Sequence, residues 1–269
     1  MSELKERLTM SHVYRQHNGE IGREKLSKLT GVKENRCRSF IDAIRERGDI
    51  IGVIGDLHLP FEHERYLEHC VRQFTKHGVT RVVNIGDLLD HHRISRHSSE
   101  PDALGAMEEY RLAKEKVAEW ADAFPYMFIV EGNHCAIPKR QLAEIGLPPI
   151  FGRTLEDLYD YPDGWEMGES IIIDDVFYTH GVGSSGMYCA ANLMKKMRMS
   201  CVQGHIHSAS FVHYNANPHS LIFGMAVGSG CDPNSYAFRY SKHSIARPIV
   251  SCGIVESSEF AYVLPMRMH

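Results

Sequence analysis

Five apolar runs in this 269-residue chain each lead into Asp, Asn or His, residue types that hold divalent metal ions. Ile50-Ile51-Gly52-Val53-Ile54-Gly55 is followed by Asp56 and His58, and Val82-Val83-Asn84-Ile85 by Gly86-Asp87 and Asp90. Met127-Phe128-Ile129-Val130 leads to Asn133 and His134, Val176-Phe177-Tyr178-Thr179 to His180, and Ser200-Cys201-Val202-Gln203-Gly204 to His205 and His207. One Asp at a strand end is ordinarily a turn residue or a helix cap, and a lone His-x-His is ordinarily structural. Five such ends in order point to one metal site at the carboxyl edge of a sheet. In Asp56-x-His58 both side chains leave the same side of an extended chain, so both reach one ion. Carboxylate with imidazole suits Mn²⁺, Fe or Zn²⁺ better than Ca²⁺. A shared carboxylate such as Asp87 bridges two ions about 3.5–4 Å apart, the separation used for in-line displacement at phosphorus. His205 and His207 then offer one imidazole to each ion.

The elements that must position these residues alternate strand and helix from Ile50 onward, an α/β pattern. Helices are expected over 62–77 and 102–123, the second with Ala103, Met107, Tyr110, Val117 and Ala121 as its apolar stripe. Residues 137–168, with Pro148-Pro149, Pro162 and Gly164, read as irregular with short helices, and 169–180 as a hairpin turning at Asp174-Asp175. After Gly183-Ser184-Ser185-Gly186 a helix runs to about Met197, and Ala209–Tyr214, Leu221–Val227, Pro248–Val255 and Phe260–Val263 read as strands.

Ahead of Ile50 the chain reads as three helices, over 3–18, Arg23–Thr30 and Lys33–Arg47, the last with an apolar stripe of Cys37, Phe40, Ile41 and Ile44. Helix, Gly31 turn, helix resembles a helix-turn-helix, with Lys33, Asn35, Arg36 and Arg38 in the leading turn as nucleic-acid contacts. Asp42 and Glu46 lie further along the same exposed face, where phosphate would repel them. The boundary falls near Gly48–Asp49, giving a helical module over 1–48 and a main domain over 49–269.

A formal charge of −4 argues against a uniformly nucleic-acid-coating protein, yet residues 1–50 carry a net +3 and the remainder −7. Seven Cys with no Cys-x-x-Cys pair read as reduced thiols. The start has no apolar core for a signal peptide, and no run could span a bilayer, so a soluble cytoplasmic protein with no membrane contact is expected.

The order Asp-x-His, Gly-Asp-x-x-Asp, Gly-Asn-His, His, Gly-His-x-His, over about residues 50–256, resembles the calcineurin-like metallophosphoesterase superfamily. Within it, "GDLLDHHRIS", "GNH" and "HG…GHIH" are similar to phosphoesterases often encoded by phages, which would place the chain in a host cytoplasm. The resemblance implies a four-layer α/β sandwich, two packed mixed β-sheets flanked by helices. It implies two divalent ions, Mn²⁺ first, with Fe, Zn²⁺, Mg²⁺ or Ni²⁺ as alternatives. One would take Asp56, His58, Asp87 and His207; the other would take Asp87 with Asn133, His180 and His205. A bridging hydroxide would attack phosphorus, and His134 would protonate the leaving oxygen or stabilise its charge.

Two positions depart from the pattern. Relatives follow Gly-Asn-His with Asp or Glu, which can orient the His; here Cys135 stands there, a weak hydrogen-bond partner, so another carboxylate must substitute or the leaving group must be activated. The protein Ser/Thr phosphatases have Arg-Gly where this chain has His91-His92, which weakens a phosphatase reading. Asp90, His91 and Arg93 are expected at the substrate rim; Arg93, Arg96 and Lys139 are candidate phosphate contacts, with an ordinary surface charge as the alternative for each.

The leading expectation is a phosphodiesterase acting on nucleic acid, DNA before RNA, with residues 1–48 helping to hold the polymer. The alternative is a phosphatase or phosphodiesterase for a small nucleotide or phosphoprotein, the module making a homodimer. A third is a non-catalytic nucleic-acid-binding protein on a degenerate hydrolase fold, motivated by Cys135.

Overall fold

A computed structural model describes residues 2–95, 103–235 and 246–267. Its centre is a pair of mixed sheets. The first, in the order β11-β10-β1-β2-β3-β4, comprises β1 (Ile50–Ile54), β2 (Arg81–Asn84), β3 (Met127–Val130), β4 (Trp165–Gly168), β10 (Ser251–Glu256) and β11 (Phe260–Pro265). The second, in the order β5-β6-β7-β9-β8, comprises β5 (Ser170–Ile173), β6 (Val176–Thr179), β7 (Ser200–Gln203), β8 (Ser210–Asn217) and β9 (Ser220–Val227). Strands β1 to β4 run parallel, as do β6, β7 and β9, so both sheets bring carboxyl ends to one edge.

Side-chain alternation makes the layers. Val53, Val83 and Val130 face inward and meet Tyr178, Val202, Phe223 and Met225 of the second sheet. Their neighbours Ile54, Val82 and Ile129 face outward, onto Phe74 of α4 (Tyr66–His77) and Val117 and Trp120 of α5 (Ala106–Ala123). Behind the second sheet, Cys189 and Ala190 of α8 (Cys189–Met197) pack on Ala226. Helix, sheet, sheet, helix is the expected four-layer sandwich.

The N-terminal helices are α1 (Glu3–Gln16), α2 (Arg23–Thr30) and α3 (Glu34–Arg47). Gly31, at φ 70°, ends α2 in the left-handed conformation that a side chain would strain. Cys37, Phe40 and Ile41 are buried with Met10, Tyr14 and Leu26, and Ile44 packs against them, as the periodicity of α3 predicts. Helix α1 serves two cores: Met10 and Tyr14 face the small one, while Leu4 and Leu8 insert among α4, α5 and the first sheet. Lys5 to Asp122 (2.6 Å) and Arg15 to Asp49 (2.5 Å) tie it to the sandwich.

Two expectations need correction. Strand β4 lies in the stretch read as irregular, which also holds α6 (Ile137–Glu144) and α7 (Leu155–Tyr159); β4 forms by parallel pairing with β3, a contact no local pattern announces. In α5 the stripe is rotated. Met107 is 62% exposed, and the buried face is Glu109, Ala113, Val117 and Trp120. Glu109 is drawn in because its two carboxylate oxygens accept the backbone N–H groups of His92 (2.7 Å) and Arg93 (2.9 Å).

Candidate metal centre

Each expected ligand sits just past a strand end. Asp56 and His58 follow β1, Asp87 follows β2, Asn133 follows β3, His180 ends β6, and His205 and His207 follow β7. Three of them, His58 (φ 52°), Asp87 (φ 44°) and His205 (φ 67°), hold left-handed backbone, which is costly for non-glycine residues and concentrates at functional sites. Glycines make the close approach: a Cβ on Gly132 would overlap the carboxylate and backbone nitrogen of Asp87, and one on Gly204 would overlap the carboxylate of Asp56.

The structure brings all seven together. Asp56 Oδ2 lies 3.2 Å from His207 Nε2 and accepts the His205 N–H at 2.8 Å. His58 Nε2 lies 3.1 Å from His207 Nε2 and 3.8 Å from Asp87 Oδ2. Asp87 Oδ2 lies 3.1 Å from His180 Nε2, which stands 3.0 Å from Asn133 Oδ1 and 3.2 Å from His205 Nδ1. Asp56, His58 and His207 can converge on one ion, and Asp87, His180 and His205 on another, with ligand atoms all within 4.8 Å. A third such group, His58, Asp87 and His134, lies between them.

The donor set fits divalent cations on two counts. Among the described residues Asp56 Oδ1 is buried with no hydrogen-bond partner, a cost a bound cation would remove. Imidazole nitrogens also face each other, His58 with His207 and His180 with His205, where at most one proton fits between each pair. Lone pairs converging in this way suit a shared cation. Burial favours neutral Asp87, but His180, with His58 and His134, holds its carboxyl well below the usual range. Burial opposes charge on His180 too, and Asp87 and Asp56 raise it to about 9. Burial lowers His205, and the His180 charge adds to that.

Asp90 and His91, expected at the rim, are instead buried. Asp90 is 1% exposed; its Oδ1 lies 2.6 Å from His58 Nδ1 and 3.1 Å from His134 Nδ1, and its backbone carbonyl lies 2.8 Å from that same His134 nitrogen. It is the carboxylate that Cys135 does not supply, and it orients two histidines at once. Cys135 is a buried thiol whose pKa burial and the Asp87 charge push up to about 12, so it is not poised as a nucleophile. Both ring nitrogens of His91 are engaged, Nδ1 with the His134 carbonyl (3.0 Å) and Nε2 with the Tyr159 hydroxyl (3.1 Å). Among the described residues no hydrogen bond engages His134 Nε2. Burial disfavours charge on that ring, but its Asp90 hydrogen bond and the Asp87 charge raise it to about 9.

Arg93 keeps an exposed side chain, Lys139 pairs with Glu131 at 2.8 Å, and Arg96 lies outside the described residues. Of the residues singled out on α3, Lys33 and Asn35 are exposed, Arg38 pairs with Asp42 (3.8 Å), and Arg36 pairs with Glu6 of α1. Arg140 escaped notice in the sequence. A cation one turn into the helix that follows Gly-Asn-His was the available signal.

The chain belongs to the calcineurin-like phosphoesterase family, whose sequence profile matches residues 50–216, more than half of it. The family and the clustered ligands together define a metal-dependent phosphoester hydrolase. Solved structures of similar fold include Vacuolar Protein Sorting 29 from Cryptosporidium parvum, 14% identical, covering 82% of this chain and 92% of that one, with a TM-score of 0.43. Another is Yfce, a phosphoesterase from E. coli (14% identity, 76% and 87% coverage, TM-score 0.36). A third is the nuclease MPE from Pseudomonas putida (14% identity, 80% and 87% coverage, TM-score 0.32). No curated protein matches the chain in sequence. Among the described residues no helix is long and apolar enough to cross a membrane.

Proposed function

We propose that the chain is a phosphodiesterase using two divalent ions, Mn²⁺ first, and that its substrate is nucleic acid, DNA before RNA. The supporting observation is His134. Asp90 fixes its Nδ1 beside the ligand cluster, and among the described residues Nε2 has no hydrogen-bond partner. A proton held there can pass to a leaving alkoxide, the need of an unactivated diester. The ions, when bound, supply Lewis acidity toward phosphoryl oxygen and a water acidified for attack. Asp56, His58, Asp87, Asn133, His180, His205 and His207 would hold them. Four imidazoles with carboxylate and amide oxygens suit Mn²⁺, Fe or Zn²⁺. "GDLLDHHRIS" and "GHIH" carry the phage-type part of the proposal, and seven free, buried cysteines fit a reducing cytoplasm.

The small-nucleotide reading keeps one observation in its favour. Sandwich residues beside α1 and α3 include Ile50, Gly78 and Thr80, which lie at or just before the amino ends of β1 and β2, whereas the metal cluster follows the carboxyl ends. A polymer held by the module would have to wrap the sandwich to reach it.

The test is Mn²⁺-dependent hydrolysis of bis-p-nitrophenyl phosphate, p-nitrophenyl phosphate and single- and double-stranded DNA and RNA, against His134→Ala. Cleavage of diester and polymer, lost in the variant, is expected. Turnover of the monoester alone would replace the nuclease with a phosphatase.

A further inference from the structure

We propose that Arg140 forms a subsite for a second phosphate, the one flanking the scissile linkage of a nucleic-acid strand; this rests on the phosphodiesterase reading. A cavity of about 360 Å³ opens beside the metal cluster, lined by Ser95, Asn133, His134 and one face of α6. On that face Ile137, Arg140, Gln141 and Glu144 fall at i, i+3, i+4 and i+7, so they share a stripe. Ile137 is buried and anchors the helix, and Gln141 donates to the Ile94 carbonyl (3.1 Å), fixing the opposite wall.

Arg140 is the cation this wall presents. One nitrogen, Nη2, donates to the Asn133 carbonyl at 2.9 Å, and among the described residues no carboxylate pairs with it. Its neighbour Lys139 is paired with Glu131. A guanidinium has five N–H donors, so most of the fork remains available to a phosphate oxygen. The tether matters for distance. Asn133 offers its carbonyl to Arg140 and its side-chain oxygen to the His180 edge of the cluster, so one residue separates the cation from the ligand set. The tether of Arg140 to Asn133 therefore places one phosphate next to His134, where the strand continues past the scissile phosphorus.

The test uses tetrathymidylates with one phosphodiester, flanked by charged but cleavage-resistant phosphorodithioates or by neutral methylphosphonates. The wild type is expected to prefer the charged flanks through a lower KM. Arg140→Ala should lower the charged-to-neutral ratio of kcat/KM about tenfold, as loss of a charged hydrogen bond predicts. Arg140→Lys should restore part of it, and Lys139→Ala should keep the wild-type ratio. An equal loss on both substrates would make Arg140 merely structural, and an unchanged ratio would remove the subsite. If the wild type cleaves the neutral-flanked substrate, the phosphodiesterase reading stands whichever ratio is found. Cleavage of neither substrate would overturn that reading and the subsite with it.

Discussion

Asp90 holds His134 Nδ1 with two oxygens, its backbone carbonyl at 2.8 Å and Oδ1 at 3.1 Å, and the same Oδ1 lies 2.6 Å from His58 Nδ1, so one residue aligns a metal-type ligand and the proposed acid together. The dependence of both rings on one residue sets a clear expectation. Asp90→Asn should cost about 10–100-fold in kcat or metal affinity, the usual effect of losing such a partner. Activity titrated against Mn²⁺ separates the two. A variant with wild-type kcat and wild-type Mn²⁺ dependence would show that neither ring needs the Asp90 carboxylate, the backbone carbonyl sufficing for His134.

Cys135 should be dispensable for turnover. Its thiol is buried beneath the site and held protonated, and Asp90 already fills the orienting role. Cys135→Ala is expected to keep kcat within about twofold while losing about 1 kcal/mol of stability to the small void. Activity and urea unfolding on the same preparation check both. A large fall in kcat would return the thiol to the mechanism.

Gly132 is required by the room it leaves rather than by its φ. A methyl group there would occupy the position of the Asp87 carboxylate. Gly132→Ala should weaken Mn²⁺ binding by at least about tenfold, read by calorimetry. Its melting temperature in EDTA should move less than its melting temperature in Mn²⁺.

Asp56 gives a readout that needs no substrate. Its Oδ1 is buried and has no hydrogen-bond partner among the described residues, a cost that a bound cation offsets. Mn²⁺ at about 100 times its Kd should stabilise the wild type by about 2.7 kcal/mol. Asp56→Asn should lose most of that gain, and equal stabilisation of both proteins would place the ion elsewhere.

The ligand set is legible in the sequence because each member follows an apolar run, and the fold only has to bring strand ends together. What acts across the chain is not legible. Asp90 meets a histidine 44 positions away with its backbone carbonyl as well as its carboxylate, and spacing cannot say that its side chain is buried while Arg93 is exposed. The α5 stripe fails for a related reason: apolar periodicity ignores a glutamate, and Glu109 is buried by two backbone donors on a distant turn. Helix α3 was readable as an element, but the capture of Arg36 by Glu6 belongs to the packing of α1.

Glu109 makes a prediction whose sign is fixed by that burial. Desolvation raises its carboxyl from 4.5 to about 6, against the backbone donors of Arg93 and His92, which favour the charged form. Between these values the unfolded chain has released the proton and the folded one still holds it, so stability falls as pH rises. The penalty is absent below about 4.5, complete above about 6, and worth about 2 kcal/mol. Glu109→Gln cannot ionise, and its amide NH2 would face one of the two backbone N–H donors, where the second oxygen of the protonated wild-type carboxyl still accepts. The variant should therefore be the less stable protein at pH 4.5 and should recover about 2 kcal/mol relative to the wild type by pH 6.5. Urea unfolding of both across that window measures the difference. A gap that stays constant with pH would mean that Glu109 titrates alike in the folded and unfolded chains.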